Sequence, residues 1–251
     1  KSQEDPVKHC FPKGNCKPKD TAFALWILND FGEDTSGGEQ YLRESLTADL
    51  RDNWFLEVVT TNTGTCRISY EKNGENKEKT VNVEAGTFPE CTGNFPNTFF
   101  NLNTCLESNL LNSNPGIELD INCNDLGPST VISVIYNSGS NYYIIKEATA
   151  ARDKITIENG CFGNSAGGSC SIESSLYSNW VLSSVGSDIK IFLWLRNEYD
   201  RLKALDNSLM YLGSQDQPNE MFITDLKVLQ KNDGSFNGNV FDTAFAVLAL
   251  R

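Results

Sequence analysis

Gly238-Asn239-Val240-Phe241-Asp242-Thr243-Ala244-Phe245-Ala246-Val247-Leu248-Ala249-Leu250 reads as a turn glycine followed by a helix that opens with an acid and a hydroxyl residue. The same order occurs twice more. Gly14-Asn15-Cys16 leads into Asp20-Thr21-Ala22-Phe23-Ala24-Leu25-Trp26-Ile27-Leu28, and Gly168-Ser169-Cys170 leads into Glu173-Ser174-Ser175-Leu176-Tyr177-Ser178-Asn179-Trp180-Val181-Leu182. Recurrence of this kind means that one helical unit is reused, and it speaks to architecture before chemistry.

Outward from these copies, two periodicities divide the chain. Phe23, Trp26, Ile27 and Phe31 follow helical spacing, and a second helix is expected after a Gly37-Gly38 turn, with Tyr41, Leu42, Leu46 and Leu50 on one face. From about Asp52 the pattern changes to alternation and to β-forming residues. Strands are expected at Trp54–Thr60, Thr65–Tyr70, Thr80–Val83, Ile117–Cys123, Thr130–Tyr136, Tyr142–Glu147 and Lys154–Ile157, with Asn73-Gly74 as a hairpin turn. Helical spacing returns past Cys170, in five segments at about 172–184, 188–200, 204–213, 219–231 and 240–250, with Pro218 suited to a first turn. The expected organisation is a helical domain of residues 1–51 and 159–251, interrupted by an inserted, β-sandwich-like domain of residues 52–158.

The eight cysteines are even in number, contain no Cys-x-x-Cys, and stand beside one histidine, which favours disulfides over zinc. Cys10-Phe11 precedes Cys16 much as Cys161-Phe162 precedes Cys170, so each pair is expected to close its own short loop. Cys66, Cys91, Cys105 and Cys123 would then pair among themselves in one of three ways. Such bracing places the chain outside the cell or at its surface. A net charge of -12 repels phosphate backbones, which argues against nucleic acid as a partner. No apolar run approaches the ~20 residues that span a bilayer.

The run Gln230-Lys231-Asn232-Asp233-Gly234-Ser235-Phe236, followed by Asp242-Thr243-Ala244-Phe245, resembles the repeat of squalene-hopene cyclases. The resemblance extends to the wider terpenoid cyclase and protein prenyltransferase superfamily. It implies an α+β chain built on a partial α/α toroid of about seven helices, interrupted by a disulfide-bonded antiparallel β insert. It covers residues 229–250 well, 14–28 and 168–182 less closely, and 52–158 not at all.

The chemistry of those enzymes is not matched. Asp30, Asp34, Asp49 and Asp52 are scattered rather than gathered in the cyclase acid motif, and His9 beside Cys10 leaves too few ligands for a prenyltransferase zinc. Gly37-Gly38-Glu39-Gln40 resembles the tail of the complement thioester motif, with Gly37 where the reactive cysteine would stand. Asp20, Glu173 and Asp242 occupy corresponding places in the three copies. They read first as acids serving helix N-termini, and second as a candidate cation or ligand site. Tyr136, Tyr142 and Tyr143, around the Asn137–Asn141 hairpin loop, are candidate glycan contacts.

With no catalytic group, metal site or cofactor expected, the chain reads as a secreted or cell-surface structural protein: a filament, surface-layer or adhesion subunit. It would associate with itself or continue into a tandem array. The alternatives are a toroid-cavity enzyme, cyclase-like or glycan-active, and a glycan- or peptide-binding module acting through the β insert.

Overall fold

Pro18 supplies a fixed φ at the first turn of helix α1 (Pro18–Asp30), and Asp20 faces its positive dipole end. Helix α2 (Ser36–Ser45) follows, and strand β1 (Leu46–Ala48) replaces the helical continuation expected through Leu46. The computed structural model describes residues 3–49, 53–107, 110–158, 160–214 and 220–251. Leu50, Asp52 and Pro218 lie outside them.

The chain divides into two compact units, Lys1–Thr47 with Gly160–Arg251, and Ala48–Asn159. The second is built from strands β2 (Asn53–Val59), β3 (Thr63–Lys72), β4 (Glu75–Glu84), β5 (Phe99–Asn101), β6 (Glu118–Asn122), β7 (Val131–Ser138), β8 (Asn141–Ala148) and β9 (Arg152–Thr156), with short helices α3 (Leu102–Cys105) and α4 (Leu110–Ser113). The strands form two four-stranded sheets, ordered β5-β2-β7-β8 and β4-β3-β6-β9. Alternation decides the faces. Trp54, Leu56 and Val58 are buried on one side of β2, and Tyr136 and Val134 sit opposite them on β7. Asn73 (φ 54) and Gly74 (φ 78) make the β3–β4 turn, both in the left-handed region that a two-residue hairpin requires.

In the first unit, β10 (Gly160–Phe162) pairs with β1, and α5 (Ile172–Ser184), α6 (Phe192–Glu198), α7 (Ala204–Leu212), α8 (Glu220–Val228) and α9 (Val240–Leu250) follow. Their core gathers Leu25, Leu42, Phe162, Val181, Leu195, Met210 and Phe222.

The three recurring helices share one hydrogen-bonding device. The Phe11 amide donates to Thr21 Oγ1 (3.0 Å), the Phe162 amide to Ser175 Oγ (2.9 Å), and the Phe236 amide to Thr243 Oγ1 (3.0 Å). Each hydroxyl stands four residues after its N-cap, Lys17, Ser171 and Asn239. The repeat is therefore real in space, but the acid-first alignment of the second copy was one residue out. Ser174, not Glu173, corresponds to Asp20 and Asp242, and Trp180 corresponds directly to Trp26.

The expected toroid is corrected by the same description. Among the described residues there are ten strands in three antiparallel sheets, and sheet residues dominate the core: Trp54, Phe55, Leu56, Ile68, Phe100 and Phe162 are among the largest fully buried side chains. A partial ring of about seven stacked helices with a β insert does not describe this. Helical periodicity marks an apolar stripe, but it does not report how many layers the helices build or that sheets carry the greater core. Helix α6 has seven residues and α7 nine, short for layered stacking.

Candidate functional site

Two places in the first unit draw chemistry-bearing residues together. The first is a pocket of about 320 Å³ lined by Val7, Lys8, His9, Gln40, Tyr41 and Glu44, together with Gly37, Ser45 and Ala166. Two glycines let it form. A Cβ on Gly37 would lie 2.7 Å from His9 Cγ, and one on Gly38 would run into Leu25 Cδ2. Gly37-Gly38 is thus the first turn of α2 rather than a turn before it, and its bareness lets the His9 loop close down on the helix. His9 has φ 54, a left-handed backbone rare outside glycine, and such strain persists where the surroundings impose it.

The pocket walls are paired in a definite pattern. His9 Nδ1 meets Glu4 Oε1 at 3.0 Å, and Gln40 Nε2 donates to Glu44 Oε1 at 2.9 Å. Tyr41 is only 6% exposed, and its hydroxyl is buried without a hydrogen-bond partner. Leaving such a group unpaired costs about 1–3 kcal/mol. Burial pushes the Tyr41 pKa up; Ser45 opposes that shift, although its hydroxyl donates to the Tyr41 carbonyl at 2.7 Å.

The second place is the aromatic seam between α1, α5 and α9. Phe23 meets Tyr177 at 5.3 Å, Trp26 meets Trp180 at 5.2 Å, Trp180 meets Phe245 at 5.3 Å, and Phe245 meets Phe241 at 5.0 Å. Corresponding residues of the three copies therefore converge. The inner rings of the seam are covered, and the outer ones are not: Trp26 is 43% exposed, Ile27 54%, Phe31 78%, Phe241 53% and Leu248 46%.

The candidate acids lie at the N-terminal end of this seam without forming an ion site. Lys19 neutralises Glu173 at 2.7 Å and sits 5.3 Å over the Tyr177 ring. Asp242 accepts from Asn237 Nδ2 at 2.9 Å, while its amide donates to the Asn239 cap. Asp20 stands in the first turn of α1. Burial, reinforced by Glu173, Asp242 and Asp206, pushes the Tyr177 hydroxyl up to about 12. Among the described residues the one metal-like grouping is Asp5, Cys10 and Cys16, whose sulfurs are joined to each other. Asp20, Glu173 and Asp242 serve helix ends.

The candidate tyrosines are split between the faces of their sheet. Tyr136 and Tyr143 stack at 6.3 Å on the side of Trp54, whereas Tyr142 stacks on Phe99 at 5.8 Å on the other. They form no common platform.

Cys10–Cys16, Cys161–Cys170 and Cys66–Cys123 are disulfides. Three such bridges suit an oxidising compartment. Cys91 and Cys105 are thiols, which corrects the expectation that all eight cysteines pair; the Cys105 thiol donates to the Cys91 carbonyl at 3.0 Å. Burial first, then the hydrogen bond with Cys91, pushes the Cys105 thiol up to about 12, so it holds its proton. Among the described residues no helix is long and apolar enough to cross a membrane.

His9, Tyr41 and Glu44 escaped the sequence reading. The signal was there in Gly37-Gly38: a glycine pair inside an amphipathic segment marks a close approach as readily as a turn.

No family model, curated protein or solved structure matches the chain.

Proposed function

We propose that this chain is an extracellular or cell-surface assembly subunit, and that it associates with a second copy of itself through the face formed by α1, α5 and α9. The observation that carries the reading is the bare apolar side of α9. Nine of its eleven residues are Ala, Val, Leu or Phe, and a helix apolar on every side belongs inside a protein. Ala246 and Ala249 are buried, whereas Val240, Phe241, Val247 and Leu248 face outward.

The aromatic seam joins this side of α9 to Trp26 on α1, next to which Ile27 and, at the helix end, Phe31 are exposed. Together they offer on the order of 700 Å² of apolar surface. An ordinary monomer's largest patch is roughly 300–600 Å², and each partner of a standard interface buries about 800 Å². A second copy brings the same face, so one symmetric contact covers both. The net charge of -12 opposes an anionic membrane as the occupant.

Light scattering coupled to size-exclusion chromatography tests the reading. A mass that rises from one chain towards two with loading concentration supports it, and one-chain mass throughout refutes it.

A further inference from the structure

The pocket beside His9 is separate from the apolar face and has a chemistry of its own. Its volume of about 320 Å³ suits a single small ligand, such as one sugar ring, rather than a chain. That lies at the lower end of the range of small-molecule sites. Its polar groups are of mixed kind. Lys8 brings an ammonium and Glu44 a carboxylate, with one oxygen already taken by Gln40. His9 has its Nδ1 committed to Glu4, which leaves Nε2 as its other hydrogen-bonding atom.

Glu44 in the wall, and Glu4 bonded to His9, against one ammonium make the site unfriendly to phosphate or carboxylate groups. A hydroxyl both donates and accepts, so neighbouring hydroxyls on one ring can satisfy a wall that holds both donors and acceptors.

The geometry points to a binding site for a neutral polyhydroxy ligand, a single sugar residue, held by Glu44, Gln40, Lys8 and His9. The Gly37-Gly38 approach of α2 to the His9 loop shapes it.

Saturation-transfer NMR with glucose, galactose, mannose and N-acetylglucosamine, and inorganic phosphate as the control, tests the site on the full chain. At least one sugar is expected to bind with a Kd of about 1 mM, while phosphate does not bind. Glu44→Ala should weaken that sugar about tenfold or more, since it removes a charge-assisted hydrogen bond. A second variant, Gln40→Ala, guards against loss of fold: Gln40 is exposed on α2, so the thermal midpoint should hold while the sugar weakens. Binding of none of the four sugars, binding of phosphate in their place, or sugar affinity unchanged in both variants would overturn the proposal.

Discussion

Three hydroxyl groups tie the recurring unit together at the residue scale. Thr21, Ser175 and Thr243 each accept from the amide of a phenylalanine upstream of their helix. Ser175 and Phe162 are fully buried, so Ser175→Ala strands an amide that water cannot reach. The expected loss is about 1–3 kcal/mol, or roughly 2–4 °C in Tm per kcal/mol for a chain of this size. Thr21→Val should cost less, because its partner Phe11, unlike Phe162, is only partly buried. Thermal melts of the two variants check the order; equal melting of wild type and Ser175→Ala contradicts it.

Asp206 carries a pH signature at the same scale. It is 7% exposed, and its Oδ2 accepts from the Asp200 amide at 3.1 Å. Burial raises its pKa first of all; Asp200 and Asp242 add to the rise, while the Asp200 amide and Lys203 oppose it. The folded chain therefore holds this proton more tightly than the unfolded one. Stability falls as pH climbs from the unfolded carboxylate value, about 4, through the raised folded value. Asp206→Asn should melt higher than wild type at pH 7, and the difference should vanish below about pH 4. A lower Tm for the variant at pH 7 would show that the charge is stabilising.

At the scale of elements, Gly38 sets propensity against packing. In a helix interior alanine is normally better than glycine by about 1 kcal/mol. Here the new methyl would meet Leu25, which is itself buried in the core. Overpacking of this kind costs about 1–3 kcal/mol, so Gly38→Ala should lower the urea midpoint. A raised midpoint would mean that α2 and α1 have slack between them.

The same element shows what a sequence can and cannot tell. Asn73-Gly74 and the span of α9 are legible because their causes are local: a left-handed turn in one, an apolar run broken only by Asp242 and Thr243 in the other. Leu46–Ala48 was read as helix because Leu46 continues the apolar stripe of α2, and only pairing with β10 makes it a strand. Gly37-Gly38 signals a close approach in the sequence, but what approaches, His9, lies far away along the chain and only the fold brings it there. The second repeat copy was placed one residue out because Glu173 looks like the corresponding acid, and only the Ser175 hydrogen bond shows the true position. The recurring loop-and-helix unit marks the three helices without revealing that sheets dominate the core.

At the scale of the whole molecule, the proposed partner is another copy. Each copy carries a net charge of -12, so two copies repel at low ionic strength, and salt with a screening length of about 8 Å at 0.15 M relieves that repulsion. Association through the α1–α5–α9 face should therefore strengthen with added salt, opposite to an assembly held by ion pairs. Phe241 and Ile27 sit on the outer parts of that face, on α9 and α1, and neither fills the core. Sedimentation velocity across a concentration series, on wild type and on the double variant Ile27→Arg with Phe241→Arg, tests the central claim most directly. The account predicts reversible dimers or larger species for wild type that grow with salt, and a monomer of unchanged Tm for the variant. A wild-type chain that sediments as a monomer at every concentration and salt would contradict it.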